Sequence, residues 1–230
     1  MSPLLQALMT AVGDPGALQA QRVVLHVGQV IYEPGQLRHE VYFPEGAMIS
    51  LVFALRRGHS CEICHIGRHG MLGLQSLMGE QETGYSAIVQ QGGLAWRLPA
   101  QWLQALLDTH ASVRQLLLQH LQATITQLAQ LAVCHRHHQL DGQLARLLMQ
   151  FVDDNGNPRL MLTHERIAQL LGVRRAGVTA SLGQLVRQGL VQGRRGCIEV
   201  RQPERLQALA CDCLERIRQA QRWLTAPVSA

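Results

Sequence analysis

No lysine occurs anywhere in the 230 residues; all 21 basic side chains are arginine. That excludes a nucleotide loop in which a glycine run ends in lysine, so Gly67, Gly70 and Gly73 are not read as a phosphate cradle despite their spacing. Export and membrane signals are missing as well. The first six residues lack a basic start, and Asp14-Pro15-Gly16 soon interrupts the segment, so the chain is expected to be cytoplasmic, with no membrane partner. In that reducing compartment Cys61, Cys64, Cys134, Cys197, Cys211 and Cys213 are expected as thiols, ligands or redox sensors rather than disulfides. No Ser-His-Asp set or carboxylate pair stands out, and the chain is not expected to be an enzyme.

The charge that is present is unevenly spread. Residues 1–159 hold 10 arginines against 11 Asp plus Glu, whereas residues 160–230 hold 11 against five. The formal charge of +5 therefore sits in the C-terminal third, which points to a polyanion bound by one domain only.

That basic third carries the clearest motif. Thr163 can cap a helix whose apolar face is Ile167, Leu170 and Leu171. Gly172 ends it, since glycine enters the left-handed conformation cheaply. A second helix follows, with Val178, Leu182 and Leu185 expected inside and Arg174, Arg175, Thr179 and Ser181 outside. Small Ala168 suits a close helix crossing. This is the helix-turn-helix design for the DNA major groove; the alternative is an ordinary helical hairpin. Residues 190–200 then read as two short strands joined by Gly193-Arg194-Arg195-Gly196, a basic wing.

Upstream, short β-type runs at 23–27, 30–32, 41–43, 48–53, 61–66, 86–89 and 94–98, punctuated by glycines, predict a small barrel or roll after an N-terminal helix. Pro99 opens a helix with Trp102, Leu103, Leu106 and Leu107 on one face. A long helix spans about 112–139. Its seam of Leu117, Leu121, Ile125, Leu128 and Leu131, with Leu118 alongside, is wide enough to pack on the roll and on a second copy; the alternative is a core helix of one domain. Leu140-Asp141-Gly142 is a candidate hinge, 153–158 a surface turn, and a last helix runs from Pro203 to about Leu224.

The stretch from Leu162 to Val200 resembles the winged helix-turn-helix of the Crp/Fnr family of bacterial transcription regulators, and Val41-Tyr42-Phe43-Pro44-Glu45-Gly46 resembles that family's sensor domain. The resemblance implies an α+β chain: a cyclic-nucleotide-binding-like β-roll with flanking helices over 1–110, a dimerisation helix over 111–140, and a winged helix-turn-helix with a helical tail over 141–230. It implies a homodimer on double-stranded DNA with a pseudo-palindromic operator, and RNA polymerase as a further partner. The expected DNA-binding residues are Thr163, Arg174, Arg175, Thr179, Ser181, Arg194 and Arg195. The family's three base-reading positions fall on Arg175, Ala176 and Ala180, so the half-site should depart from the TGTGA type, with the two wing arginines on phosphate.

The expected effector pocket comprises Gly70, Met71, Leu72, Tyr85, Ser86 and Leu128. Cyclic-AMP binders of the family carry Gly-Glu-Leu and Arg-Ser or Arg-Thr there, with hydroxyls where Leu128 and Ala129 stand. Met71 replaces the ribose-holding acid and Tyr85 the phosphate arginine, so the effector should not be cyclic AMP. Cyclic di-GMP, haem or no ligand stay open, and the cofactor is unknown. The iron–sulfur branch needs an N-terminal cysteine cluster, and the first cysteine here is Cys61. Cys61-Glu62-Ile63-Cys64-His65 matches the covalent-haem spacing but falls in an expected strand. Cys134 with His137 or His138, and His135 with His138, share helix faces, but no third ligand is evident nearby, so no metal site is assigned. A haem- or metal-dependent redox sensor using these side chains is the rival reading.

Overall fold

The computed structural model describes residues 1–13, 19–36, 39–54, 60–78, 84–194 and 196–222; for Ala54, Ser60, Cys61, Glu62 and Arg222 this is the backbone alone. The chain forms two compact units, one made chiefly of Met1–Ile125 and the other of Thr126–Arg218.

All seven expected strands of the first unit form: β1 (Gln21–Leu25), β2 (Val30–Tyr32), β3 (Glu40–Pro44), β4 (Met48–Ala54), β5 (Ser60–Ile66), β6 (Ser86–Gln91) and β7 (Gly93–Pro99). They pair antiparallel in two sheets, ordered β1-β7-β3 and β2-β6-β4-β5. Where β7 starts, only glycine fits: a Cβ on Gly93 would lie 2.6 Å from the Ala47 nitrogen and from the Gly46 carbonyl carbon. Between the two sheets' inner positions lies one core cluster, including Tyr32, Ile49, Leu72, Tyr85 and Val89. A second cluster joins Phe43 and Leu98 to Leu4, Leu5 and Leu8 of helix α1 (Pro3–Val12), Leu103 of α2 (Ala100–Thr109), and Val113, Leu116 and Leu117 of α3 (Ala111–His137).

The 27-residue α3 corrects the expected seam. Leu117 is 5% exposed and belongs to the core, while its neighbour Leu118 is 54% exposed. Ile125 and Leu128 are exposed as well, and Leu121 is half-buried. The outward stripe is therefore Leu118, Leu121, Ile125 and Leu128, at the three- and four-residue steps that keep side chains on one helix face.

His120 on the same helix is buried, and its Nδ1 has no partner among the described residues. Burial pushes its pKa down to about 4. The unfolded chain takes up a proton at the ordinary value of 6.5 that the folded chain refuses. Stability should thus be full above pH 6.5 and fall as pH drops toward 4, by roughly 3 kcal/mol. Urea unfolding of His120→Leu should show that part of the acid slope removed; an unchanged slope counts against it.

In the second unit, α4 (Leu140–Asn155) is buried along much of its length, and its last turn corrects the expected loop: Asp153 and Asp154 are helical, and the chain turns at Gly156 (φ 66°). The break after α3 lies at His138–Gln139, with Gln139 extended, so Asp141 and Gly142 form the first turn of α4 rather than the hinge. Next come β8 (Arg159–Leu160), α5 (His164–Leu171), α6 (Arg175–Arg187), β9 (Val191–Arg194) and β10 (Cys197–Val200), with sheet order β8-β10-β9. The expected last helix is two, α7 (Pro203–Leu209) and α8 (Cys213–Arg222), because Ala210 is extended. An Arg218–Asp153 pair at 2.7 Å ties α8 back to α4. No described helix is long and apolar enough to cross a membrane.

Candidate nucleic-acid interface

The local signals around 162–200 act as expected. The Thr163 hydroxyl accepts the Arg166 N–H at 3.1 Å and caps α5. Gly172 ends that helix in the left-handed region, φ 65°. Ile167, Ala168, Leu170 and Leu171 of α5 and Val178, Leu182 and Leu185 of α6 are all buried, which fixes the face α6 turns outward.

That outward face carries Arg175, Ala176, Thr179 and Ala180, all exposed, with exposed Arg174 as the residue before the helix. Thr179 donates to the Arg175 carbonyl at 3.0 Å and lies 2.9 Å from His164 Nδ1. With its only proton so used, its oxygen accepts from His164, and the side chain links the start of α5 to α6. His164 is a residue the motif reading missed; its signal, adjacency to the cap, is too common to single it out.

Ser181 departs from expectation. It is 4% exposed and its hydroxyl donates to the Asp141 carboxylate of α4, so it cannot face a base. The reason is periodicity: residues 178, 181, 182 and 185 share one helix face, and 181 falls on the buried side.

The wing is a hairpin in which Arg194 pairs with Cys197 and Gly196 sits at φ 75°. Arg194 is exposed, and Arg195 lies outside the described residues. Glu199 on β10 faces Arg159 at 3.6 Å and Arg201 at 3.3 Å, so the wing's own acid is matched by cations other than Arg194. Arg175 and Arg194 line one open groove together with Thr163, His164 and Glu165. The groove thus takes one arginine from the second helix and one from the wing, beside the capped first helix.

The expected effector-pocket residues lie in different packing environments. Met71 is buried in the cluster shared with the helices, Leu72 and Tyr85 in the cluster inside the roll. The Leu72 backbone bridges that of Tyr42. Tyr85 packs on Phe53 with ring centroids 5.5 Å apart and donates to Gln75 Oε1 at 2.8 Å. A Cβ on Gly70 would press Ile66 at 2.9 Å, Ser86 is half-buried on β6, and Leu128 is exposed on α3. The Cys61–His65 run lies on β5 as expected. Burial pushes the Cys64 thiol up to about 12, the behaviour of a packed side chain rather than a reactive one. Around Cys134 and His138 the expectation of no further ligand is corrected: Cys211 and Cys213 stand beside them.

A roll of two antiparallel sheets and a winged helix-turn-helix with exposed arginines define a DNA-binding protein with a separate β-roll domain. Residues 22–110 match the cyclic nucleotide-binding domain and residues 142–209 the Crp-like helix-turn-helix domain. Over 185 residues, 76% of this chain and 83% of the relative, the sequence is 24% identical to the global nitrogen regulator of Synechococcus elongatus. FixK2 from Bradyrhizobium japonicum superposes with a TM-score of 0.72 at 16% identity, covering 84% of this chain and 98% of that one. A CRP-family transcriptional regulator from Thermus thermophilus gives 0.70 at 18% identity, covering 84% and 99%. The chain belongs to the Crp/Fnr family and is a DNA-binding transcription regulator, not an enzyme.

Proposed function

We propose that the protein acts as a homodimer on a pseudo-palindromic operator, each copy placing α6 in a major groove, and that its roll answers to a small effector other than cyclic AMP. The observation that carries the reading is the exposure of Arg175 at the start of α6 beside Arg194 of the wing. The stripe on α3 supports the dimer, and two-fold symmetry then sets half-sites about one helical turn apart. RNA polymerase is a further partner of such a regulator. Apolar Met71 and hydrogen-bonded Tyr85 offer neither an acid for a ribose nor a cation for a buried phosphate, which supports an effector of different chemistry.

Binding of the full chain to duplex DNA, followed by anisotropy across a salt series, tests the first part. Affinity should fall steeply and linearly in log–log form as counterions are released. Weak binding that is flat with salt would defeat it. Micromolar cyclic AMP should leave the melting temperature and the DNA affinity unchanged; a saturable rise in melting temperature overturns the effector reading.

A further inference from the structure

The break between α7 and α8 brings the two tail cysteines onto the end of α3. Cys134 and His138 are one helical turn apart, and the His138 N–H still bonds to the Cys134 carbonyl at 3.1 Å, so both side chains leave one face of the helix. Cys211 and Cys213 approach from the opposite side, held by the Cys211 N–H to Gly142 carbonyl bond of 3.3 Å. The four ligand atoms all lie within 4.8 Å of one another, with Cys134 and Cys213 fully buried. Cys134 Sγ is 3.5 Å from Cys211 Sγ, and Cys213 Sγ is 3.4 Å from His138 Nδ1.

Those separations have a specific meaning. A tetrahedral zinc ion with bonds of about 2.3 Å to sulfur and 2.0–2.1 Å to nitrogen spaces its ligand atoms about 3.5–3.8 Å apart. We propose that Cys134, His138, Cys211 and Cys213 bind one tetrahedral zinc ion, which pins the α7–α8 tail to the α3–α4 junction.

The surroundings fit that ion. Asp212 Oδ1 is 3.2 Å from His138 Nε2, so the carboxylate accepts a hydrogen bond from the far ring N–H, the tautomer that leaves Nδ1 free to ligate. Gln130 donates to Cys213 Sγ at 3.0 Å, as a donor supporting a thiolate would. Three thiolates, one neutral imidazole and a divalent ion leave a net charge of minus one. Arg146 is 1% exposed, and its Nε has no partner among the described residues. Its positive charge acts on both Cys134 and Cys211, so it lies where that excess needs an opposite charge. Three soft sulfurs and one imidazole select zinc over calcium or magnesium. A four-iron cluster, in which each ligand binds a different iron, would need its ligand atoms farther apart than these are.

The test uses the full chain, purified with reductant and exposed to excess zinc, then stripped of loose metal by gel filtration. One zinc per chain is expected. Cobalt(II) put in its place should give the sulfur-to-metal charge-transfer band and the intense visible bands of a tetrahedral site. Cys213→Ser and His138→Ala should lose the stoichiometric metal, while Cys64→Ser and Cys197→Ser keep it. Should a ligand variant fail to fold, Asp212→Asn leaves all four ligands and should still weaken zinc about 10- to 100-fold in chelator competition. Less than stoichiometric zinc, a weak six-coordinate cobalt spectrum, a Cys134–Cys211 disulfide surviving the reductant, or an iron–sulfur chromophore in anaerobic protein would each overturn the proposal.

Discussion

Ile125→Asp is expected to sediment as a folded monomer of half the parent mass and to lose most of its operator affinity. Ile125 is half-exposed on α3 and sits between Leu121 and Leu128 in the outward stripe. In a two-fold dimer each copy would bury a carboxylate against apolar side chains and against its own symmetry mate, with no cation in the stripe to pair it. An unpaired buried charge of this kind costs about 4 kcal/mol, close to a thousandfold in the dimer constant. Operator affinity follows, because a monomer engages one half-site. Leu117→Asp is the informative contrast. Leu117 lies in the core of the first unit, so the same charge there should lower the melting temperature rather than release a well-folded monomer. An Ile125→Asp protein sedimenting as an unchanged dimer would show that the interface lies elsewhere.

The second large effect concerns base reading. Arg175 opens α6 with its side chain exposed, and its planar fork matches the O6 and N7 acceptors of guanine. Ala176 and Ala180 beside it can offer only small apolar contacts, so the half-site should keep a guanine but depart from TGTGA. Ser181 is withdrawn from the reading set by its bond to Asp141, and Thr179 has its proton committed to the Arg175 carbonyl. Arg174 is the remaining exposed cation at the helix start. Arg175→Ala should cost about 1–3 kcal/mol on the selected operator and relax preference at one base pair per half-site. Arg194→Ala should instead weaken all sequences alike and lower the magnitude of the salt slope by about one per copy, as a lost phosphate contact does. Site selection from random duplexes with the parent and both variants decides the matter. Recovery of an unaltered TGTGA half-site, or uniform loss for Arg175→Ala, would move the reader to another residue.

Local chemistry alone determined much of this protein. The seven strands, the capped α5, the glycine turn and the wing hairpin are each written in a few adjacent residues, because caps, turns and periodicity act over one or two turns of chain. Arg175 and Arg194 were legible for the same reason. What a face packs against is another matter. Leu117 and Leu118 are chemically identical neighbours, and only the packed roll decides that one is core and the other stripe. Ser181 looked like a surface hydroxyl until α4 supplied Asp141 as its partner. The four-ligand group was least legible of all. Cys134 and His138 lie more than seventy residues before Cys211 and Cys213, and no spacing rule spans that gap. They meet because Ala210 is extended and breaks the tail helix, which sets both tail cysteines against the end of α3, so that cluster is a product of tertiary structure alone.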